Sequence, residues 1–393
     1  MPRVRKLAVG LLTAALTLGT IAGTPASAAT IAPPADDPFY TPPTGFEQTA
    51  PGTVLRERAV TVTGLGIPIP VRSTQILVRS NDTHDRPVAV ASTVMVPLTP
   101  YFGTRPLLSY QQAIDSLGDQ CNPSYTLRTG TMQELPLLAL GLARGWAVVT
   151  TDFQGPRNAY GAGRMAGHAV LDGIRGALSR PGFSAATPVG MWGYSGGGQA
   201  TTWAAELAPT YAPELPIKGV AAGGVPADLA KVINKVDGTL FAGVVFAAVF
   251  ATSREYPELA TLFNDNGRAT AERIKDMCQA EVAVALTARR LAEFTTSPDP
   301  LNEPVARAVL EDDALGRHGA PTAPMFLFHA YFDELIPVDV GRALKADYCA
   351  AGTKVKYYED YVSEHISLDI TAAPAAVAYL GDRFAGRPVP TNC

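Results

Sequence analysis

Charge is scarce in this sequence. Only 17% of its 393 residues are Asp, Glu, Lys or Arg, and 36 acidic residues face 32 basic ones. A weakly charged, slightly acidic chain carries no electrostatic footprint for nucleic acid or an anionic membrane. Histidine and cysteine are sparse too, at five and four. Neither CxxC nor HExxH spacing occurs, so no metal is expected and no organic cofactor is called for. Dinucleotide chemistry is poorly supported. Gly161, Gly163 and Gly167 give GxGxxxG, one residue too long for the Rossmann fingerprint, in what reads as a loop well past Asp152. Helix-start chemistry is their simpler explanation. The apolar run LFAGVVFAAVFA (240–251) is too short to cross a bilayer. No internal repeat is evident.

What is present begins with an export signal. Arg3, Arg5 and Lys6 precede an apolar stretch with no charge before Asp36, and Ala26-Ser27-Ala28 is a small-x-small cleavage site. Residues 1–28 therefore read as a Sec-type signal peptide and not as a stable membrane anchor. Its removal takes three positive charges and moves the formal net charge from −4 to −7. In an exported chain the four cysteines predict two disulfides, and the sequence alone permits three pairings.

The proline- and threonine-rich residues 29–50 read as an extended arm on the core. STQILVRS (73–80) and PVAVASTVMVP (87–97), around NDTHDR, predict an antiparallel hairpin. Short apolar runs then alternate with helix-like ones. The strand candidates are PLLSY (106–110), GWAVVTTD (145–152), PVGMW (188–192), IKGVAAGG (217–224), PMFLFHA (324–330) and KVKYYEDY (354–361). In the helical segment 162–178, Val170, Leu171, Ile174, Ala177 and Leu178 form an apolar stripe. Arg164, His168, Asp172 and Arg175 share the other face, which predicts solvent there. This alternation predicts an α/β fold, a mostly parallel sheet with helices on both faces. Residues 226–321 read as helical throughout, an inserted cap between core segments 51–225 and 322–393. The run at 240–251 is read as a buried helix of that cap, as the lining of an apolar site, or both.

Gly193-Tyr194-Ser195-Gly196-Gly197 fits G-x-S-x-G between a strand candidate and the good helix QATTWAAELA. A strand-to-helix turn this sharp strains the serine and leaves no room for side chains two residues away. The new helix aims free N–H groups at the same point. Gly-rich turn chemistry without catalysis is the plainer alternative. A serine nucleophile needs a base, and the base an orienting acid. His84, His168 and His318 read as solvated, and His329 as a structural histidine in or at the end of a strand. His365, in the loop after the last strand, is the base expected, with Asp333 the acid and Glu334 its fallback. The order Ser195, Asp333, His365 is that of the α/β-hydrolases.

Long segments also carry a family resemblance: DPFYTPP, SYQQAIDS, GWAVVTTDFQGP, VLDGIRGAL, GYSGGGQATTWAAELAPTYAPEL, HAYFDELIPV and SEHISLDI. Across most of the mature chain the sequence resembles the secretory lipase family. The resemblance implies an α/β-hydrolase with a helical cap acting on carboxylic esters, and it carries the triad onto Ser195, Asp333 and His365. It implies Asp115 as an oxyanion donor beside the Gly196 N–H, with Gln111 a neutral alternative and a helix cap or surface acid the ordinary reading of Asp115. It also favours the pairs Cys121–Cys278 and Cys349–Cys393. Family members of fungal origin continue past this last cysteine, so properties of that extension are not carried over.

The expectation is a secreted, monomeric lipase or carboxylesterase that meets apolar esters, including acylglycerols, at a lipid–water interface. Tyr194 and the cap residues Phe241, Val245, Phe246 and Phe250 are the expected substrate contacts. The alternatives are a polyester hydrolase, an acyltransferase, an aminopeptidase using Glu303 or Asp312, or an exported binding protein on a dead hydrolase fold.

Overall fold

A computed structural model describes residues 31–393 of the chain, so the proposed signal peptide lies outside the described residues. Residues Ala32–Cys393 pack as one compact unit. The arm at its start makes three short 3-10 turns and buries Phe39 against Leu77 and Ala91.

The elements run β1 (Val54–Val60), β2 (Thr63–Gly64), β3 (Ile67–Pro68), β4 (Val71–Asn81), β5 (Pro87–Pro97) and β6 (Leu107–Gln111). Then come α1 (Pro123–Thr129), α2 (Leu135–Ala143), β7 (Ala147–Thr151), α3 (Gly163–Leu178), β8 (Val189–Tyr194), α4 (Ser195–Tyr211) and β9 (Ile217–Gly223). Five helices follow without an intervening strand: α5 (Leu229–Val236), α6 (Ala242–Thr252), α7 (Asp265–Ile274), α8 (Gln279–Ala285) and α9 (Pro304–Asp312). The chain closes with β10 (Met325–Ala330), α10 (Val338–Ala350), β11 (Val355–Asp360) and α11 (His365–Phe384).

Nine strands form one sheet in the order β1-β4-β5-β7-β6-β8-β9-β10-β11. From β7 to β11 every pairing is parallel, whereas β1, β4, β5 and β7 pair antiparallel. The parallel half therefore presents the C-terminal ends of β6, β8, β10 and β11 along one edge. In parallel sheets that edge is where chemistry collects. The sheet is the α/β-hydrolase arrangement that the alternation of runs predicts. The β4–β5 hairpin forms as expected. β1 (VLRERAV) is an edge strand with only half-buried and exposed positions, so its sequence lacks the alternation that marks a strand.

Two readings of α3 are overturned. His168 and Asp172 are 3% and 0% exposed. The helix is sandwiched between β4, β5 and β7 on one side and α4 on the other, so it has no solvent face at these positions. The His168 ring stacks on Tyr211 at 4.3 Å, and Asp172 accepts from Ser80, Tyr211 and Arg175 at 2.7–2.9 Å. Gly163 and Gly167 belong to α3 and not to a loop. A side chain at either would collide with Trp203 or Leu207 of α4, so close helix packing explains them. His318 is likewise no free surface residue: its ring stacks on Trp203 and its N–H donates to Glu206.

Candidate active site

Ser195 sits where β8 becomes α4, with φ of +52°. This is the left-handed region, costly for a side chain and held only when the surroundings over-determine it. The surroundings do. A Cβ on Gly193 would collide with the Gly197 carbonyl and Thr201, and one on Gly197 with the Gln111 carbonyl. The glycine pair lets the helix start directly against the strands, leaving Ser195 half-exposed at the tip.

Two further segments converge there. β10 ends at Ala330, and Asp333 follows in a tight turn where its Oδ1 accepts from the N–H groups of Leu335 and Ile336 at 3.0 and 2.7 Å. Its Oδ2 faces His365 Nδ1 at 2.7 Å, and His365 Nε2 lies 2.9 Å from Ser195 Oγ. The acid can only accept, so Nδ1 carries the proton and Nε2 is left to receive one from the serine. His365 is the first residue of α11, 2% exposed, and its own N–H donates to Glu334 at 2.9 Å. Glu334, the fallback acid, holds the base's backbone instead. Tyr194 lies beneath, its hydroxyl donating to the His365 carbonyl at 2.7 Å and its ring 5.1 Å from the imidazole. It is 3% exposed, and its contacts here are with His365.

Burial penalises the charged form of His365. The hydrogen bond and charge of Asp333, with the charges of Glu334 and Asp115, outweigh that, and its pKa lies above the ordinary value. Asp333 is pushed up by burial, but His365, His329 and the backbone donors hold it below the usual carboxylate range. His329 is structural as expected, buried, with Nε2 at 3.1 Å from the Ile336 carbonyl.

Asp115 is neither helix cap nor surface acid. It is 2% exposed in the loop after β6, at φ of +44°. Its Oδ1 is buried without a partner and lies where a Cβ on Gly196 would collide with it. Burial raises its pKa to about 6. Gln111 is not available as an alternative, because its carboxamide bridges the Ser109 and Thr201 hydroxyls inside the core. Glu134 fixes the loop from behind, accepting from Tyr110 Oη at 2.5 Å and from the Ala113 N–H at 3.0 Å.

The disulfides join Cys121 to Cys278 and Cys349 to Cys393, the pairs the resemblance implies. Among the helical-segment residues, Val245 lines an apolar cleft with Leu229, Ile233, Leu259, Phe263 and Leu301. Phe246 and Phe250 do not line it. They are 0% and 4% exposed and pack on Phe294 and Phe263, while Phe241 is half-buried just ahead of α6. Sequence reasoning also missed Glu334 as the acceptor for the His365 N–H and Gln279 as the donor to Asp115. Neither has a local signal, since both act through contacts between distant segments.

A model of the family described as Secretory lipase matches residues 122–392. The chain belongs to the secretory lipase family. Membership places it among lipases, hydrolases of esters. The chain is 42% identical over 373 residues to a Mycobacterium tuberculosis protein named probable inactive lipase MT1628, covering 91% of this chain and 83% of that protein. It is 34% identical over 386 residues to lipase A of Arthroderma benhamiae, covering 92% and 82%. Among solved structures, Candida antarctica lipase A in its closed state superposes with a TM-score of 0.87 at 28% identity, covering 92% of this chain and 89% of the other. This secretory lipase has no described helix long and apolar enough to cross a membrane, and no metal-holding cluster among the described residues.

Proposed function

We propose that the protein is a secreted serine ester hydrolase, a lipase or carboxylesterase that cleaves acylglycerols and other apolar esters through an acyl-enzyme. The supporting observation is the unbroken relay from Ser195 Oγ through His365 to Asp333, at 2.9 and 2.7 Å. His365 takes the serine proton as Oγ attacks the ester carbonyl. Asp333 keeps the imidazole oriented and stabilises its cation. The Gly196 N–H and Asp115 hold the oxyanion, His365 returns the proton to the departing alcohol, and water repeats the sequence to release the acid. Residues 226–321 act as the cap, whose apolar composition favours acyl chains over peptides. Export by the signal peptide agrees with two disulfides, and the enzyme works as a monomer at lipid–water interfaces.

One observation favours a second reading, a non-catalytic exported protein: a relative sharing 42% of its residues bears a name that calls it inactive. Against this, the nucleophile, base and acid are all present here and within hydrogen-bond reach. An aminopeptidase is less well supported, since Asp312 is engaged by Tyr256 at 2.7 Å. Hydrolysis of p-nitrophenyl esters from acetate to palmitate, with Ser195→Ala as blank and a fluorophosphonate probe for labelling, decides among these. Ser195-dependent hydrolysis that extends to long chains is expected. Activity on short chains alone demotes the protein to a carboxylesterase, and an unlabelled Ser195 removes catalysis altogether.

A further inference from the structure

The stretch joining α7 to α8 is sewn onto the loop that bears Asp115. Leu117 N–H donates to the Met277 carbonyl at 2.9 Å, and Gln279 N–H to Ser116 Oγ at 2.9 Å. Gln120 bonds the Asp276 carbonyl, and the Cys121–Cys278 disulfide closes the seam. Arg254 adds a clamp, its guanidinium donating to the carbonyls of Leu117, Arg157 and Lys275 at 2.8–2.9 Å. Although it belongs to the helical insertion, this stretch is fixed to the core.

At the end of the seam, Gln279 Nε2 donates to Asp115 Oδ2 at 3.2 Å, while Oδ1 has no partner and faces Gly196. A carboxylic acid can place its proton on either oxygen. An amide N–H pointed at one of them makes that oxygen the acceptor and moves the proton to the other. We propose that Gln279 is a positioning residue that keeps the Asp115 proton on Oδ1, the oxygen beside Gly196, and so aims an O–H at the forming oxyanion. The proposal rests on the reading of Ser195 as nucleophile. It also gives the seam a purpose, since an amide that drifted would let the proton settle on either oxygen.

The groups facing Asp115 are His365 from α11, Glu134 from the turn before α2 and Tyr160 from the turn before α3, with Gly196 of α4 and Gln279 of α8. Gln279→Glu tests the idea with little risk to folding, because an acid is favourable in the first turn of a helix. The new carboxylate accepts where the amide donated, so it draws the proton onto Oδ2 and away from the oxyanion. In the full disulfide-bonded chain, acting on a dissolved short ester, kcat should fall about 10- to 100-fold with KM within about twofold, since only the transition state loses a donor. The alkaline limb of the pH profile should move upward, because the added negative charge holds the Asp115 proton more tightly. Gln279→Met, which leaves the two oxygens equivalent, should cost about three- to tenfold in kcat. Gln120→Ala on the same seam should change neither kcat nor the limb.

Unchanged kcat and pH profile in both Gln279 variants, with Ser195→Ala inactive, would overturn the proposal alone. A Gln120→Ala enzyme as impaired as Gln279→Glu, with melting temperature lowered in step, would reduce Gln279 to a structural part of the seam and overturn it equally. Activity surviving Ser195→Ala would instead remove the reading underneath it.

Discussion

Replacing Asp115 by asparagine should change the shape of the pH profile more than the height of its peak. The proposed turnover needs a proton on Asp115 and none on His365, and the affinities run the other way. Asp115 releases its proton at about 6, whereas His365 is held above the ordinary histidine value, itself about 6.5. The two sites also reinforce each other's charge. With one proton to share, the charged pair therefore predominates. The wild-type profile should be a bell whose alkaline limb reports loss of the shared proton. Asparagine offers a permanent N–H donor and removes the carboxylate that props up the His365 cation. Its profile should rise along a single acid limb set by His365 alone, lying above the wild-type acid limb and below the wild-type alkaline limb, and stay level beyond it. Peak kcat should remain within about tenfold, whereas Asp115→Ala, with no side-chain donor, should lose about 100- to 1,000-fold. Initial rates on a dissolved ester from about pH 5 to pH 10 suffice. If Asp115→Asn keeps the alkaline limb at its original midpoint, or alanine costs less than about threefold, only the backbone of residue 115 takes part.

Opening Cys121–Cys278 by serine substitution should lower stability by about 2–4 kcal/mol and, because the bond closes the Asp115 seam, also lower kcat. Calorimetry and steady-state rates on the folded fraction separate the two effects, and an unchanged kcat would make the disulfide purely structural. Phe332 and Ile366, 62% and 61% exposed, flank Asp333 and His365, and Val362 is 93% exposed nearby. Phe332→Asp or Ile366→Asp should slow hydrolysis of emulsified triacylglycerol several-fold while leaving a dissolved ester untouched; equal loss on both would exclude interfacial docking through this rim. Asp333→Asn should reduce kcat by about 10⁴-fold by favouring the wrong imidazole tautomer, whereas Glu334→Gln, which still accepts from the His365 N–H, should cost less than about tenfold. Comparable losses in the two would show that the acid's role had been assigned to the wrong carboxylate.

How far the sequence carries the reader depends on whether a constraint is local. The strands from PLLSY to PMFLFHA announce themselves because a central parallel strand must be apolar along its whole length, whereas KVKYYEDY, the edge strand β11, is only partly buried and reads as a strand from its β-branched and aromatic residues. G-x-S-x-G does so because the turn forbids side chains within five residues of chain. Asp333 and His365 are legible because each lies just beyond a recognisable strand. His168 and Asp172 fail that test. Their helical spacing matches a solvent face, but α4 and the β4–β5 hairpin cover it, and burial is tolerated because Asp172 gathers three donors and His168 has a ring to stack on. Phe246 and Phe250 mislead in the opposite sense. An uncharged helix looks like an acyl-chain wall from its composition, yet only one of its sides can line a cleft, and these rings belong to the side that packs on Phe294.

The connection from Gln279 to Asp115 spans 164 residues and has no local mark at either end. What the sequence does show there is cysteine at 121 and at 278, each within a few residues of a seam contact. A cross-link is most useful where a small displacement costs most. In this fold that place is the loop that holds buried Asp115, in a left-handed backbone conformation, against Gly196. The insertion therefore serves two separate needs. Under the proposed mechanism its α7–α8 joint is tied down because oxyanion geometry tolerates little drift, and α5, α6 and α9 surround an apolar cleft that lies outside the seam. If substrate entry requires the insertion to move, the motion has to be taken up by those helices and not by the joint.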